Sequence, residues 1–385
     1  MANTFKFGNG NWAVKEDYAL AYNDENNNFK PLPFDFTRAS SATRVNKQGL
    51  IETVGSGKPR IDFLDNTKGH LLLEPSRTNI ITNSEQFVDA PTGNTNMDVF
   101  SGTIINNDTT SPDGNNNGMR FTANTATGAV LRIYQTDLST SADTTFTIYA
   151  KKGTTDSVSI SITGGTATSV TLTDEWQRIS VTSVSTSSKF LDVTFTASVG
   201  QYIYIFGMQA EAASYATSYI STSGSAVTRV AETSEINSVP NVPTSYPFVM
   251  YVEGNHTLGQ ESGTCGFYDK SNQYYYYSIL FASNNKILAL SRPQGTENIL
   301  TSTSTYTDGF HKVAVLFLND TTVKLYVDGE LEATKTDCSN NSFNTSFTDY
   351  IIGVFRSIST NSCNIKDFRI FNHELTNTEL QQLTS

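Results

Sequence analysis

The chain has 385 residues, of which 37% are hydrophobic and only 16% charged, and it carries a net charge of −11. That length exceeds one ordinary core and sets two or three domains as the expectation, while the acidic balance argues against nucleic acid and anionic membrane surfaces as partners. Abundant Thr, Ser, Asn and Gly favour strands and turns over helices, so the fold class expected is all-β.

The N-terminus, MANTFKFGNGNW, lacks a basic segment followed by an apolar run, and no apolar run approaches the roughly 18 residues of a membrane helix. Neither a secretion signal nor membrane insertion is expected. Residues 1–84 are irregular and rich in turn signals, among them Gly8-Asn9-Gly10-Asn11, Asn26-Asn27-Asn28 and Lys58-Pro59, and read as short strands in long connections. A short echo, SSATRVN at 40–46 and SAVTRVAE at 225–232, repeats with no fixed period.

From 85 to 235 polarity changes at every second residue in TTFTIYAKKG, SVSISITGG, EWQRISVTSV, FLDVTFTAS and QYIYIFGMQA. Such runs, separated by Gly, Asp or Ser/Thr turns, fit an antiparallel two-sheet sandwich. Pro240, Pro243 and Pro247 then mark 236–247 as an extended linker, since proline fixes φ and removes backbone donors.

Beyond it, 248–385 resumes the alternation in PFVMYVEG, YYYYSILFAS, KILALSRP, HKVAVLFLND, TVKLYVDGEL, DYIIGVF and CNIKDFRIF, a second sandwich. Asp328-Gly329 between two strand runs signals a type I′ hairpin turn, where both residues need φ > 0. One helix signal closes the chain: Thr376-Asn377-Thr378-Glu379 has capping-box spacing before Leu380 and Leu383.

Catalysis would need paired carboxylates on one strand or an activated nucleophile. In the last region Glu253, Asp269, Glu297, Asp308 and Asp320 stand singly, and no G-x-S-x-G elbow or P-loop occurs. His70, His256, His311 and His373 do not stand at metal-ligand spacing, and His311 reads as a sandwich-edge or core residue. No catalytic residue is assigned.

Cys265, Cys338 and Cys363 lack zinc-site spacing and read as reduced, buried thiols, a Cys338–Cys363 disulfide being the alternative. In SPDGNNNG, 111–118, Asp113 stands among asparagines and glycines. Those oxygens suit calcium, and the same residues suit a solvated turn, so Asp113 is the metal candidate. Trp176 in DEWQRISV reads as core, and Trp12 as core or attachment surface. In QYYYYSI, 273–279, a period of two sets Tyr275 and Tyr277 with Ile279 and Phe281 on the core side. Tyr274 and Tyr276 fall on the opposite, exposed or concave face as ligand-contact candidates.

Three stretches carry resemblances. HKVAVLFLNDTTVKLYVDGEL and IIGVFRSISTNSCNIKDFRIFNHELTNTELQQL resemble the hairpin, final strands and helix of laminin-G-like, concanavalin-A-type jelly rolls, with His311 where Trp or His is usual. YIYIFGMQAEAASYATSYISTSGSAVTRVAE and WQRISVT resemble carbohydrate-binding-module-like jelly rolls of phage virion proteins. PLPFDFTRASSATRVNKQGLIETVGSGKPRIDF and LLLEPSRTNIITNSEQF resemble the N-terminal domain of bacteriophage head-spike or tail-fibre proteins.

These resemblances imply a non-enzymatic virion fibre or spike, usually a homotrimer, made in the bacterial host cytoplasm. Residues 1–84 would dock to a capsid or tail protein, and the sandwiches at 85–235 and 248–385 would present lectin-like surfaces to host-surface or mucosal glycans. A purely structural decoration and a polysaccharide depolymerase are the alternatives. The Glu-x-Asp-x-x-Glu strand of concanavalin-A-type glycanases is absent from the sequence.

Overall fold

Alternation in the sequence becomes sheet almost throughout: the computed structural model is nearly all β, with one helix among the described residues, and the all-β fold class holds. It describes residues 4–7, 11–15, 18–23, 28–31, 35–87, 95–135, 143–184, 190–236, 243–257, 259–269, 272–345, 347, 349–352 and 363–385.

The chain forms two compact units, both discontinuous. Residues 1–39, 54–75 and 230–385 make the first, and 40–53 with 76–229 make the second. Residues 1–84, read from sequence as one region, are thus shared between the two. Their strands are too short to bury a core alone. Arg60–Asp62 and His70–Leu73 instead join the sheet built around Cys363–Phe371, and Ile61, Leu71 and Leu73 enter its core.

In the first unit an eight-stranded sheet runs Glu330–Lys335, Val323–Val327, Gly309–Phe317, Phe248–His256, Cys363–Phe371, His70–Leu73, Arg60–Asp62, with Thr4–Phe7 also paired to Cys363–Phe371. A seven-stranded sheet runs Asn298–Thr301, Ile287–Ser291, Asn272–Phe281, Ser262–Asp269, Asp349–Ile352, Thr233–Ile236, Asp35–Thr37. Inward residues of both, Phe248, Met250 and Val252 against Phe267, Tyr277 and Ile279, share one core. Ile236 therefore ends a paired strand rather than opening a linker, and 237–242 lie outside the described residues.

Two local signals form as their chemistry requires. Asp328 and Gly329 take φ of 48° and 90° at their hairpin. Helix Asn377–Thr384 starts at Thr376, whose side chain accepts from the Glu379 backbone N–H while the Glu379 carboxylate accepts from the Thr376 N–H at 2.7 Å. Its Leu380 is buried against Tyr251, Ala314, Leu316 and Tyr326.

A buried ionic cluster holds the first unit where the chain leaves and re-enters it. Arg38, Glu74 and Glu232 lie within two residues of those passages and Arg60 within six. Arg38 Nη1 meets Glu232 at 2.6 Å, and its Nη2 donates to the carbonyls of Val54 and Gly55 at 3.2 and 2.6 Å. Arg60 Nε donates to Glu232 at 2.7 Å and its Nη2 reaches both Glu232 and Glu74. The Glu74 N–H also donates to Glu232, at 2.9 Å. Two cations and two anions balance, as a buried set must.

The second unit is a sandwich of two five-stranded sheets. One runs Thr95–Phe100, Ala129–Gln135, Phe190–Phe195, Ser157–Ile162, Thr168–Thr171; the other runs Gly102–Thr109, Gly118–Ala123, Tyr202–Glu211, Asp143–Lys152, Gln177–Val184. Leu131, Ile133, Ile160 and Val193 from the first meet Phe121, Phe146, Ile148 and Ile205 from the second in a closed core. The Thr-Arg-Val echo does not mark equivalent sites: Arg44 pairs with half-exposed Glu52, whereas Arg229 is buried and donates to Thr217 and Ser218.

Candidate functional site

The tyrosine run divides as its period demands, but the outer face is not open. Tyr277, Ile279 and Phe281 are core residues and Tyr275 packs partly buried against them. Tyr276 points to the opposite face, yet it is only 2% exposed, packed with its register partner Tyr268 and with Leu280 and Leu290. Its hydroxyl donates to the Glu297 carboxylate. The expectation of an exposed Tyr276 ring is therefore corrected: a period of two fixes the face and says nothing about whether that face is covered. The side chain of Tyr274 lies outside the described residues.

Asp113 is consumed by its own turn. One carboxylate oxygen accepts from the Ser111 hydroxyl and, at 2.9 Å, from the Asn115 N–H; the other accepts from the Asn115 and Asn117 amides at 3.1 Å each. Burial raises its pKa, but these donors outweigh burial and hold the carboxyl below its ordinary value. Four donors aimed at one carboxylate make a turn anchor, and a calcium site needs the reverse polarity. Among the described residues no three His, Cys, Asp or Glu side chains stand where a metal could be held.

The remaining sequence candidates are structural. Cys265, Cys338 and Cys363 are buried thiols outside any disulfide, with burial pushing the Cys363 thiol up to about 12. Trp12 is core, its indole N–H donating to the Lys366 carbonyl at 2.7 Å. His311 is pinned at the hairpin by the Asp328 carboxylate at 2.7 Å and the Thr307 carbonyl at 3.0 Å. Glu253 and Asp367, single in sequence, face each other across neighbouring strands. Burial, against the pull of Arg369, pushes Asp367 up to about 6, but at 2% exposure it is sealed from any polymer.

An open surface appears instead on the second unit. Trp176 is not in the main core; it is half-buried in a satellite cluster with Ile51, Phe206 and Tyr219, its indole N–H donating to the Thr110 carbonyl at 3.1 Å. On the same outward sheet face, Ile105 pairs with Arg120, Arg120 with Tyr204, and Tyr204 with Lys151. Inward neighbours Ile203 and Ile205 are fully buried, so alternation sends Tyr202 and Tyr204 outward.

Cations hold these rings in place. The Lys151 ammonium lies 5.4 Å from the Trp176 ring and 5.6 Å from Tyr204, and Arg120 lies 5.6 Å from Tyr202 while pairing with Asp108 at 3.5 Å. Tyr202 and Tyr204 meet edge to face at 5.3 Å. Burial and the contact with Tyr202 push the Tyr204 hydroxyl up, so it remains a neutral donor. Four strands at about 4.8 Å spacing give a row roughly 14 Å long, with aromatic faces, hydroxyls and charged donors in one line. Sequence reading could have found its seed in the two outward tyrosines of QYIYIFG; Arg120, Lys151 and Trp176 join them only through strand register.

The other outward face has its own polar series. Asp98 pairs with Arg132 and Arg132 with Asp192, whose carboxylate accepts from Arg132 Nε and Nη2 at 2.7 Å each. The guanidinium stands 4.5 Å over the Phe190 ring and 5.6 Å over Phe100.

Residues 239–381 match the family model described as the Concanavalin A-like lectin/glucanases superfamily. Among curated proteins none matches the chain. The sialyllactose-bound CBM40 of a Ruminococcus gnavus IT-sialidase is similar at 15% identity over 37% of this chain and 84% of that one, with a TM-score of 0.32. The botulinum neurotoxin serotype D binding domain is similar at 17% identity over 39% of this chain and 40% of that one, with a TM-score of 0.31. The protein thus spans well under half of that toxin chain.

Proposed function

We propose that the protein is a non-enzymatic adhesive fibre or spike of a bacteriophage particle, docked to a capsid or tail protein through its N-terminal residues and binding host-surface or mucosal glycans. The observation that carries the adhesive reading is the open row of Arg120, Tyr202, Tyr204, Lys151 and Trp176 on the second unit. A sugar ring has an apolar face for stacking and a hydroxyl rim for hydrogen bonding, and this row offers both kinds of partner in sequence. The concanavalin-type match of 239–381 supports a lectin-like role for the chain. The sealed state of Asp367 argues against the depolymerase. The particle assignment is supported by the N-terminal resemblance in PLPFDFTRASSATRVNKQGL, and a homotrimer would convert weak single sites into avidity.

The test is binding of the purified chain to arrays of neutral and acidic glycans and to host-surface preparations, with wild type beside Trp176→Ala and Tyr204→Ala combined. Saturable binding that the double variant loses, at unchanged melting temperature, is the expected result. A blank from every sugar and surface refutes adhesion and leaves the spacer. Shortening of host capsular polysaccharide by the chain refutes the non-enzymatic reading.

A further inference from the structure

At residue 101 the chain passes from one sheet of the second unit to the other through a one-residue corner. Strand Thr95–Phe100 is the edge of the first sheet and Gly102–Thr109 the edge of the second. Between them Ser101 takes a φ of 55°, and a Cβ on Gly102 would stand 2.8 Å from both the Ala129 methyl and the Phe121 ring. The corner is therefore tight and preformed.

Beside it opens a groove of about 470 Å³ whose lining includes Phe87, Asp98, Phe100, Thr103 and Ile104. Phe87 is clamped by Asn106, which accepts from its N–H at 2.8 Å and donates to its carbonyl at 2.9 Å. Phe100 leaves 44% of its surface exposed. The half-buried Asp98 carboxylate accepts no hydrogen bond among the described residues.

We infer that this groove is a saccharide subsite for the neutral terminal unit of a glycan. The inference rests on the glycan-binding reading above and assigns it a second contact. The volume falls in the range of small-ligand sites. Phe100 supplies an apolar face and Asp98 accepts from sugar hydroxyls, while the Thr103 hydroxyl is held by Asn124, to which it donates at 3.2 Å and from which it accepts at 2.9 Å. Charge selects the sugar. Arg132 is already held through two nitrogens by Asp192, so the series Asp98, Arg132, Asp192 carries one net negative charge beside the groove. A uronic or sialic acid would meet that charge unpaired, whereas a neutral hexose or N-acetylhexosamine would satisfy it by hydroxyl donation. Thr95–Phe100 and Gly102–Thr109 are both edge strands, so among the described residues no further strand closes the groove's end, which suits a chain terminus.

The experiment is saturation-transfer NMR on the full chain with methyl β-galactoside, N-acetylglucosamine and glucuronic acid as probes. Wild type is compared with Asp98→Ala, Phe100→Ala and Tyr204→Ala, each checked for an unchanged melting temperature. Transfer to at least one neutral sugar is expected, and none to glucuronic acid. Asp98→Ala should weaken the neutral sugar about tenfold, the loss of one charge-assisted hydrogen bond. Equal binding by wild type, Asp98→Ala and Phe100→Ala overturns the inference, as does binding of glucuronic acid that Phe100→Ala abolishes. If wild type binds glycan polymers and only the Tyr204 variant loses them, the groove falls and adhesion stands; if wild type binds no glycan at all, both fall.

Discussion

The Glu232 carboxylate and the Arg38 guanidinium meet at 2.6 Å with neither side chain exposed to solvent. Arg60 takes the other side of the same carboxylate, and Glu74 balances the fourth charge. Removing one partner of such a set strands an uncompensated buried charge, which costs about 3–5 kcal/mol. Glu232→Gln should lower unfolding free energy by about that amount in a urea titration. A loss below about 1 kcal/mol, the level of an exposed surface pair, would show that the cluster is hydrated in solution.

That cluster was invisible in the sequence because its members lie at 38, 60, 74 and 232 and no local period links them. What was legible depended on short-range chemistry: period-two strands, the Asp328-Gly329 turn, and the Thr376 capping box. The same limit explains the site. Alternation correctly put Tyr276 opposite Tyr277, but burial of that face by Tyr268, Leu280 and Leu290 is a long-range outcome. Tyr204 and Lys151 are neighbours only because two strands more than 50 residues apart pair in one register.

His311 should make stability depend on pH with a definite sign. Burial lowers its pKa, but the Asp328 carboxylate and the Thr307 carbonyl outweigh burial and hold it above the ordinary 6.5. The folded chain then binds the proton more tightly than the unfolded one. The resulting stability is complete below the unfolded value and is lost as pH rises through the folded one. Melting temperature should fall between about pH 6 and pH 8 more steeply in wild type than in His311→Gln. Parallel slopes would show that the proton is not retained.

Calcium should not act through Asp113. Its two oxygens are occupied by the Ser111 hydroxyl, the Asn115 N–H and the Asn115 and Asn117 amides, so a cation would have to displace donors already in place. Calcium or a chelator is expected to leave the melting temperature unmoved, while Asp113→Ala costs about 1–3 kcal/mol by stranding those donors. A calcium-dependent rise that Asp113→Ala abolishes would reverse this reading.

Tyr276 and Tyr204 should separate stability from adhesion. Tyr276→Phe keeps the ring among Tyr268, Leu280 and Leu290 but removes the hydroxyl donated to Glu297, and is expected to cost about 1–3 kcal/mol with glycan binding unchanged. Tyr204→Ala strips a half-buried ring from an open face and should lose binding with little change in melting temperature. The opposite pattern, binding lost in the first and kept in the second, would move the contact surface to the first unit.

Asp367 offers the sharpest electrostatic test. Burial pushes its carboxyl up to about 6 despite the Arg369 guanidinium on one oxygen, and Glu253 on the neighbouring strand adds to the rise. Its other oxygen has no hydrogen-bond partner. The fold therefore favours the protonated acid. That stability is complete below the ordinary carboxylate value near 4 and is lost as pH rises through about 6. Asparagine has the same shape and stays neutral at every pH. Asp367→Asn should match wild type at about pH 4 and melt higher than wild type at about pH 7.5, where wild type must keep a charge buried. If the variant is instead the less stable protein at the higher pH, the ion pair with Arg369 outweighs burial and the carboxylate is ionised in the fold.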